Sequence, residues 1–118
     1  MSLIAIAAYK PLPGFDTGFK EVLKNHTNVL REEGFITDQK VYQMQAIDGT
    51  VIEVFEWISE EAKEDAHNNP RVMELWSRLH EYAEMAKLMD IMECHAPMAS
   101  FRGLHLEEIA KLDREDIE

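Results

Sequence analysis

From Val51 to Trp57 the chain alternates between two sets of side chains: Val51, Glu53, Phe55 and Trp57 on one side, Ile52, Val54 and Glu56 on the other. A period of two is the signature of a strand with two distinct faces. Val41 to Ala46 repeats the pattern, and Ile47-Asp48-Gly49-Thr50 separates the two runs. Asp-Gly favours a two-residue hairpin turn, because both central positions need positive φ. That turn predicts Tyr42 opposite Phe55, Met44 opposite Glu53 and Ala46 opposite Val51, with Trp57 continuing the same face. Upstream, Ile4 to Lys10 is a short Ala-rich apolar run closed by Pro11-Leu-Pro-Gly14, a strand followed by a breaker. Phe15, Phe19, Val22, Leu23, His26 and Leu30 recur at three- and four-residue intervals, which makes one face of a helix. Gly34 supplies its stop. Ser59 caps a short acidic helix ending near His67, and Asn69-Pro70 opens a longer one. The apolar face of that helix is Val72, Leu75, Trp76, Leu79, Ala83 and Ala86. The pattern blurs from Leu88 to Pro97, Met98 to Leu104 reads as a last strand, and Leu106 to Glu118 as a polar, helical tail.

The order strand, helix, strand, strand, helix pair, strand is the plan of a ferredoxin-like split βαβ domain. It predicts an α+β fold: an antiparallel sheet with helices on one face. Residues 1–104 form the domain and 105–118 a polar C-terminal tail. The face away from the helices still carries Ile and Val beside Gln, an apolar patch if left open. A second copy of the chain is the expected cover.

Composition narrows the function. At 118 residues the chain makes one domain, which buries roughly two thirds of its unfolded surface. The net charge of −11 repels phosphate backbones and anionic lipid, so neither nucleic acid nor a membrane surface is an expected partner. No apolar run approaches the ~20 residues of a membrane span. The single cysteine, Cys94, rules out an internal disulfide and suits a reducing cytoplasm. Glu93-Cys94-His95 places ligand types side by side, where they rarely converge on one ion, and no second pair stands at ligand spacing. No Gly-rich phosphate loop or nucleophile elbow is present. The expectation is therefore no metal and no cofactor.

Lys10-Pro-Leu-Pro-Gly14, Glu56-Trp57, Ala66-His67, Pro70 and Phe101 are the marks by which residues 4–104 resemble the antibiotic biosynthesis monooxygenase-like family of dimeric α+β barrels. The resemblance implies a homodimer whose two sheets pack face to face, and a small apolar pocket between each sheet and its helices. The family includes oxygenases that use no metal or flavin, haem-degrading enzymes and proteins without known activity. The haem-degrading branch pairs an Asn on the first strand with a Trp on the third and a His on the long helix. Here Ala5, Ala7 and Ala8 occupy the first strand, Trp57 fits, and His80 is displaced by one turn from Trp76.

His67 and Glu53 are the candidate catalytic groups. Histidine exchanges protons near neutral pH and is a natural base toward a phenol or quinol. Glu53 sits on the aromatic face of the hairpin, where it could exchange a proton with a ligand. Tyr42, Phe55, Trp57, Trp76 and His26 are the candidate substrate-binding residues, lining the space around a small hydrophobic or aromatic ligand. The bland alternatives are a capping role for His67, a core role for His26, a sheet-margin role for Glu53, and simple core packing for the aromatic rings. The expected function is cofactor-independent monooxygenation of a small aromatic or quinol-like substrate. The alternative is a non-catalytic, ligand-binding or stress-associated homodimer.

Overall fold

The computed structural model describes residues 2–106, so most of the expected tail, 107–118, lies outside the described residues. Nine residues, Leu3–Pro11, form strand β1. Helices α1 (Asp16–Leu23) and α2 (His26–Glu32) follow. Strands β2 (Tyr42–Gln45) and β3 (Val51–Trp57) make the hairpin. Helices α3 (Glu60–Ala66) and α4 (Pro70–Tyr82) come next, then the short strands β4 (Ala83–Met85) and β5 (Arg102–Gly103). The sheet is antiparallel throughout, in the order β4-β1-β3-β2-β5. Its first four strands have the ferredoxin-like arrangement, and β5 is added at the far edge.

Local chemistry sets the helix limits. The Ser59 hydroxyl accepts from the Ala62 N–H at 3.0 Å, and the Asn69 side chain accepts from the Val72 N–H at 3.1 Å. Both are N-caps that satisfy donors the first turn leaves unpaired. At the end of α2, Gly34 has φ +81. Its N–H donates to Arg31 O, and the Phe35 N–H to Leu30 O, the paired bonds of a Schellman stop. The single helix expected through Leu30 is broken once, where the Asn25 N–H reaches Val22 O, a tighter, 3₁₀-type bond. The break falls immediately before His26.

The hairpin register differs from expectation by one residue. Tyr42 lies opposite Val54, Gln43 opposite Glu53, Met44 opposite Ile52 and Gln45 opposite Val51. The loop holds three residues instead of two: the Ala46 N–H donates to Thr50 O, the Gly49 N–H to Ala46 O, and Gly49 takes φ +96. Asp48 Oδ1 accepts from the Thr50 N–H at 2.9 Å, which holds the Asp48 carboxyl below the usual range. Asp-Gly serves a three-residue loop as well, with Gly in the left-handed position. Because side chains alternate, a one-residue slip moves every β2 side chain to the other face. Gln43 and Gln45 therefore face the helices, and Tyr42 and Met44 face away.

The long helix also stops earlier than its apolar pattern suggested. Ala83 is extended (φ −153, ψ 156), and Ala83–Met85 pairs with Tyr9, Lys10 and Pro11. Ala86 is thus outside the helix. Continuing the helix would leave the edge of β1 unpaired. The Leu12 N–H fixes the corner by donating to Tyr82 O. A β-carbon on Gly18 would stand 2.7 Å from the Tyr82 ring, so only glycine lets α1 approach here. The expected strand from Met98 to Leu104 contracts to Arg102–Gly103.

The helices cover one face of the sheet. Phe19, Leu23, Val51, Leu75 and Leu79 are buried at one end, and Leu30, Phe55, Trp57, Ala66 and Val72 at the other. Leu106 joins the first group, so the packed domain reaches at least two residues beyond the boundary expected at 104. On the opposite face the chain covers part of the sheet itself. Ile91, in the turns that follow β4, is 1% exposed and packs on Ala8, Ala46 and Ile52. Beyond that cover Ile4 remains 70% and Ile6 52% exposed.

Candidate functional site

Between the sheet and the helices lies a cavity of about 300 Å³. Its floor is Ala5, Ala7 and Tyr9 of β1 with Phe55 and Trp57 of β3. The two alanines create the room, since larger side chains there would fill the layer between sheet and helix. Trp76 and Leu79 of α4 form the roof, His26 closes the inner end, and His67, His80 and Met85 stand around the mouth. Phe55 and Trp57 meet edge to face with ring centroids 5.2 Å apart, and His26 meets Phe55 edge-on at 5.9 Å. Such contacts suit an aromatic guest, whose ring offers the same faces and edges.

Behind the inner end is a chain of buried polar groups. Glu53 is 0% and His26 2% exposed. Their sequence positions explain the pairing: Glu53 is a carboxylate on the buried face of a central strand, and His26 an imidazole on the apolar face of the helical pair. Two polar groups buried on opposing surfaces must satisfy one another. His26 Nδ1 lies 2.7 Å from Glu53 Oε1. The Gln43 amide donates to Glu53 Oε2 at 2.8 Å, and the Tyr9 hydroxyl to Oε1 at 3.5 Å. Burial first, and then the charge and hydrogen bond of Glu53, push the Tyr9 phenol well above its ordinary range, so it stays a donor.

On its other side, His26 Nε2 lies 2.8 Å from Trp76 Nε1. The indole N–H can only donate, so His26 Nε2 accepts and Nδ1 carries the proton that goes to Glu53. The imidazole is neutral, with a single defined tautomer. No buried side-chain polar atom among the described residues lacks a partner.

Phe55, Trp57, Trp76 and His26 line one cavity, and Glu53 lies directly behind it. His67 is at the mouth, exposed, with its ring 4.8 Å from Trp76 and Nδ1 bonded to Lys63 O at 2.8 Å. Tyr42 is the exception. It is 56% exposed on the far face of the sheet, carried there by the hairpin slip. Gln43 and Tyr9 were missed, and His80 entered only as the displaced histidine of the haem-degrading pattern. The signal for Gln43 was the three-residue reading of the Asp-Gly loop, which puts Gln43 opposite Glu53. Among the described residues no group of three or more His, Cys, Asp or Glu converges as a metal site would require. His95 instead bonds Met89 O. No helix among the described residues is long and apolar enough to cross a membrane.

The fold and cavity define a small α+β domain with an aromatic pocket backed by a buried His–Glu pair. No protein-family model matches the chain, and no curated protein matches it. It is similar in structure to Rv0793 from Mycobacterium tuberculosis, with a TM-score of 0.61 and 16% sequence identity, over 73% of this chain and 89% of that one. At that identity the likeness is one of fold.

Proposed function

We propose that the protein is a cofactor-independent monooxygenase of the antibiotic biosynthesis monooxygenase-like kind, acting on a small quinol or phenol. The observation that carries this reading is the buried His26–Glu53 pair opening on an aromatic-lined cavity of about 300 Å³. Cavities this size are at the small end of ligand pockets. One substituted ring fits that space and a haem macrocycle does not, which counts against haem degradation.

The base is His26 rather than His67. Its Nε2 becomes a base when a substrate hydroxyl displaces the Trp76 N–H that it now accepts from, and Glu53 stabilises the imidazolium that forms when it takes the substrate proton, the part a carboxylate plays behind a catalytic histidine. The resulting quinolate gives an electron to dioxygen, and the radical pair closes to a C–O bond. The hydroperoxide loses water to leave a hydroxyquinone. One oxygen atom enters the product, the other leaves as water, and the quinol supplies every electron.

An oxygen electrode tests this with a panel of quinols and phenols. The expected result is oxygen uptake above autoxidation, with one hydroxyquinone formed per dioxygen from a quinol and one quinone per dioxygen from a phenol. If no member of the panel is consumed, the protein is a non-catalytic binder. That second reading draws on the Trp76 N–H, which occupies the His26 lone pair.

The same reading makes the protein a cytoplasmic homodimer, with the exposed Ile4 and Ile6 against the partner sheet. Light scattering after size exclusion should give twice the chain mass of 13.7 kDa, and Ile6→Lys should shift it toward the single chain. A wild-type monomer at micromolar concentration would remove the barrel from this reading.

A further inference from the structure

Resting on the pocket reading above, we infer that the cavity recognises its ligand by letting a hydroxyl insert into the Trp76–His26 hydrogen bond, and so selects the reduced, hydroxyl-bearing form of a ring compound over its carbonyl or hydroxyl-free analogues. The polar groups at the inner end of the cavity have little hydrogen-bonding capacity left to offer. The His26 proton is committed to Glu53 and the Tyr9 proton points to Glu53. The Trp76 proton is committed to His26 Nε2. What remains toward the cavity is one exchangeable bond, with a donor-only indole on one side and an acceptor nitrogen on the other.

Three ligand chemistries meet that bond differently. A hydroxyl donates to His26 Nε2 and accepts from the Trp76 N–H through the same oxygen, so both protein groups stay satisfied. A carbonyl accepts from Trp76 but leaves the His26 lone pair buried without a donor. A fluorine or a methyl serves neither. Losing a partner for one buried polar group costs more than a neutral hydrogen bond contributes, so the order hydroxyl over carbonyl, and hydroxyl over halide, follows from the geometry. Trp76 is free to give way, because its ring is only partly buried.

The mouth repeats the preference. Lys63 O can only accept, so His67 Nδ1 carries a proton toward it, and Nε2 is left as the ring nitrogen available to a ligand beside Trp76. His80, in solvent at the mouth, is open to either role. The His26 Nε2 acceptor therefore sets the preference, and Trp76 keeps it occupied until a hydroxyl arrives.

The test is binding without turnover. Hydroquinone, 1,4-difluorobenzene and 1,4-cyclohexanedione are titrated under nitrogen by calorimetry, and the indole and imidazole ¹⁵N resonances are followed by NMR, with Trp76→Phe identifying the Trp76 signal. Hydroquinone should bind about tenfold more tightly than either analogue, the worth of one satisfied hydrogen bond. It alone should move the Trp76 Nε1 and His26 Nε2 signals together. In Trp76→Phe the hydroxyl meets no competing donor, and the preference over difluorobenzene should persist. His67→Phe, an exposed change that leaves the core intact, should weaken hydroquinone about threefold, a partial loss of that bond energy. Equal binding of the dione or the difluorobenzene overturns the inference. So does hydroquinone bound with both signals unmoved, and so does no binding of any of the three. Hydroquinone selectivity without oxygen uptake leaves the inference standing and removes the oxygenase reading; oxygen uptake without selectivity does the reverse.

Discussion

Replacing Glu53 with Leu is expected to destabilise the protein by about 3–5 kcal/mol, the cost typical of removing one partner from a buried pair. Glu53 is fully buried and receives three donors: the His26 imidazole, the Gln43 amide and the Tyr9 hydroxyl. Leucine is close in size, so little of the loss comes from a cavity. It comes from donors left without an acceptor, each worth about 1–3 kcal/mol when buried. The Tyr9 contact is long and contributes least. Thermal unfolding should fall by roughly 10–20 °C. Glu53→Gln keeps one acceptor for His26 and sets an amide against the Gln43 amide, so it should cost less. The double variant Glu53→Leu with His26→Leu decides the cause. If the penalty is orphaned polarity, the double variant loses less than the sum of the singles, because residues in one network couple. Additive losses would show that each side chain contributes only its own packing.

The period-two pattern of β3 read its buried face correctly, since Val51, Glu53, Phe55 and Trp57 all turn toward the helices. The caps at Ser59 and Asn69 were legible because capping depends on a single side chain and the turn that follows it. Tyr42 was misplaced for a nonlocal reason. A two-residue and a three-residue loop share the same Asp-Gly signal, and the choice between them is set by how β2 packs. Ala83 and Ala86 continue the apolar period of α4, so nothing local announces the strand that the unpaired edge of β1 extracts from Ala83–Met85. Ile91 falls in a stretch without periodicity, yet it covers the far face of the sheet. The site was visible as parts. His26, Glu53 and Trp76 each stood out on an otherwise apolar face. That Trp76 closes on His26 depends on how α4 crosses α2, which no spacing along the chain encodes.

His26→Asn is expected to lower turnover of a quinol by about 10²–10⁴-fold, the usual contribution of a positioned general base. Asparagine places an amide N–H near the former Nδ1, so Glu53 keeps a donor and the fold should survive with a loss of about 1–2 kcal/mol. What disappears is the Nε2 lone pair, and an amide nitrogen offers no base in its place. Ring contacts with Phe55, Trp57 and Trp76 are untouched, so bound substrate should be retained far better than rate. The loss then falls on kcat more than on KM, the mark of an interaction made in the transition state. His67→Ala is the matched comparison. Its ring stands at the mouth, exposed and bonded to Lys63 O, and its removal should change kcat by less than about threefold, as befits a group outside the proton-transfer geometry. The two variants assign the proton to one histidine. A large fall in His67→Ala with His26→Asn nearly unchanged would move the base to the mouth of the cavity. It would also leave the buried pair of His26 and Glu53 as a structural bond that fastens α2 to β3.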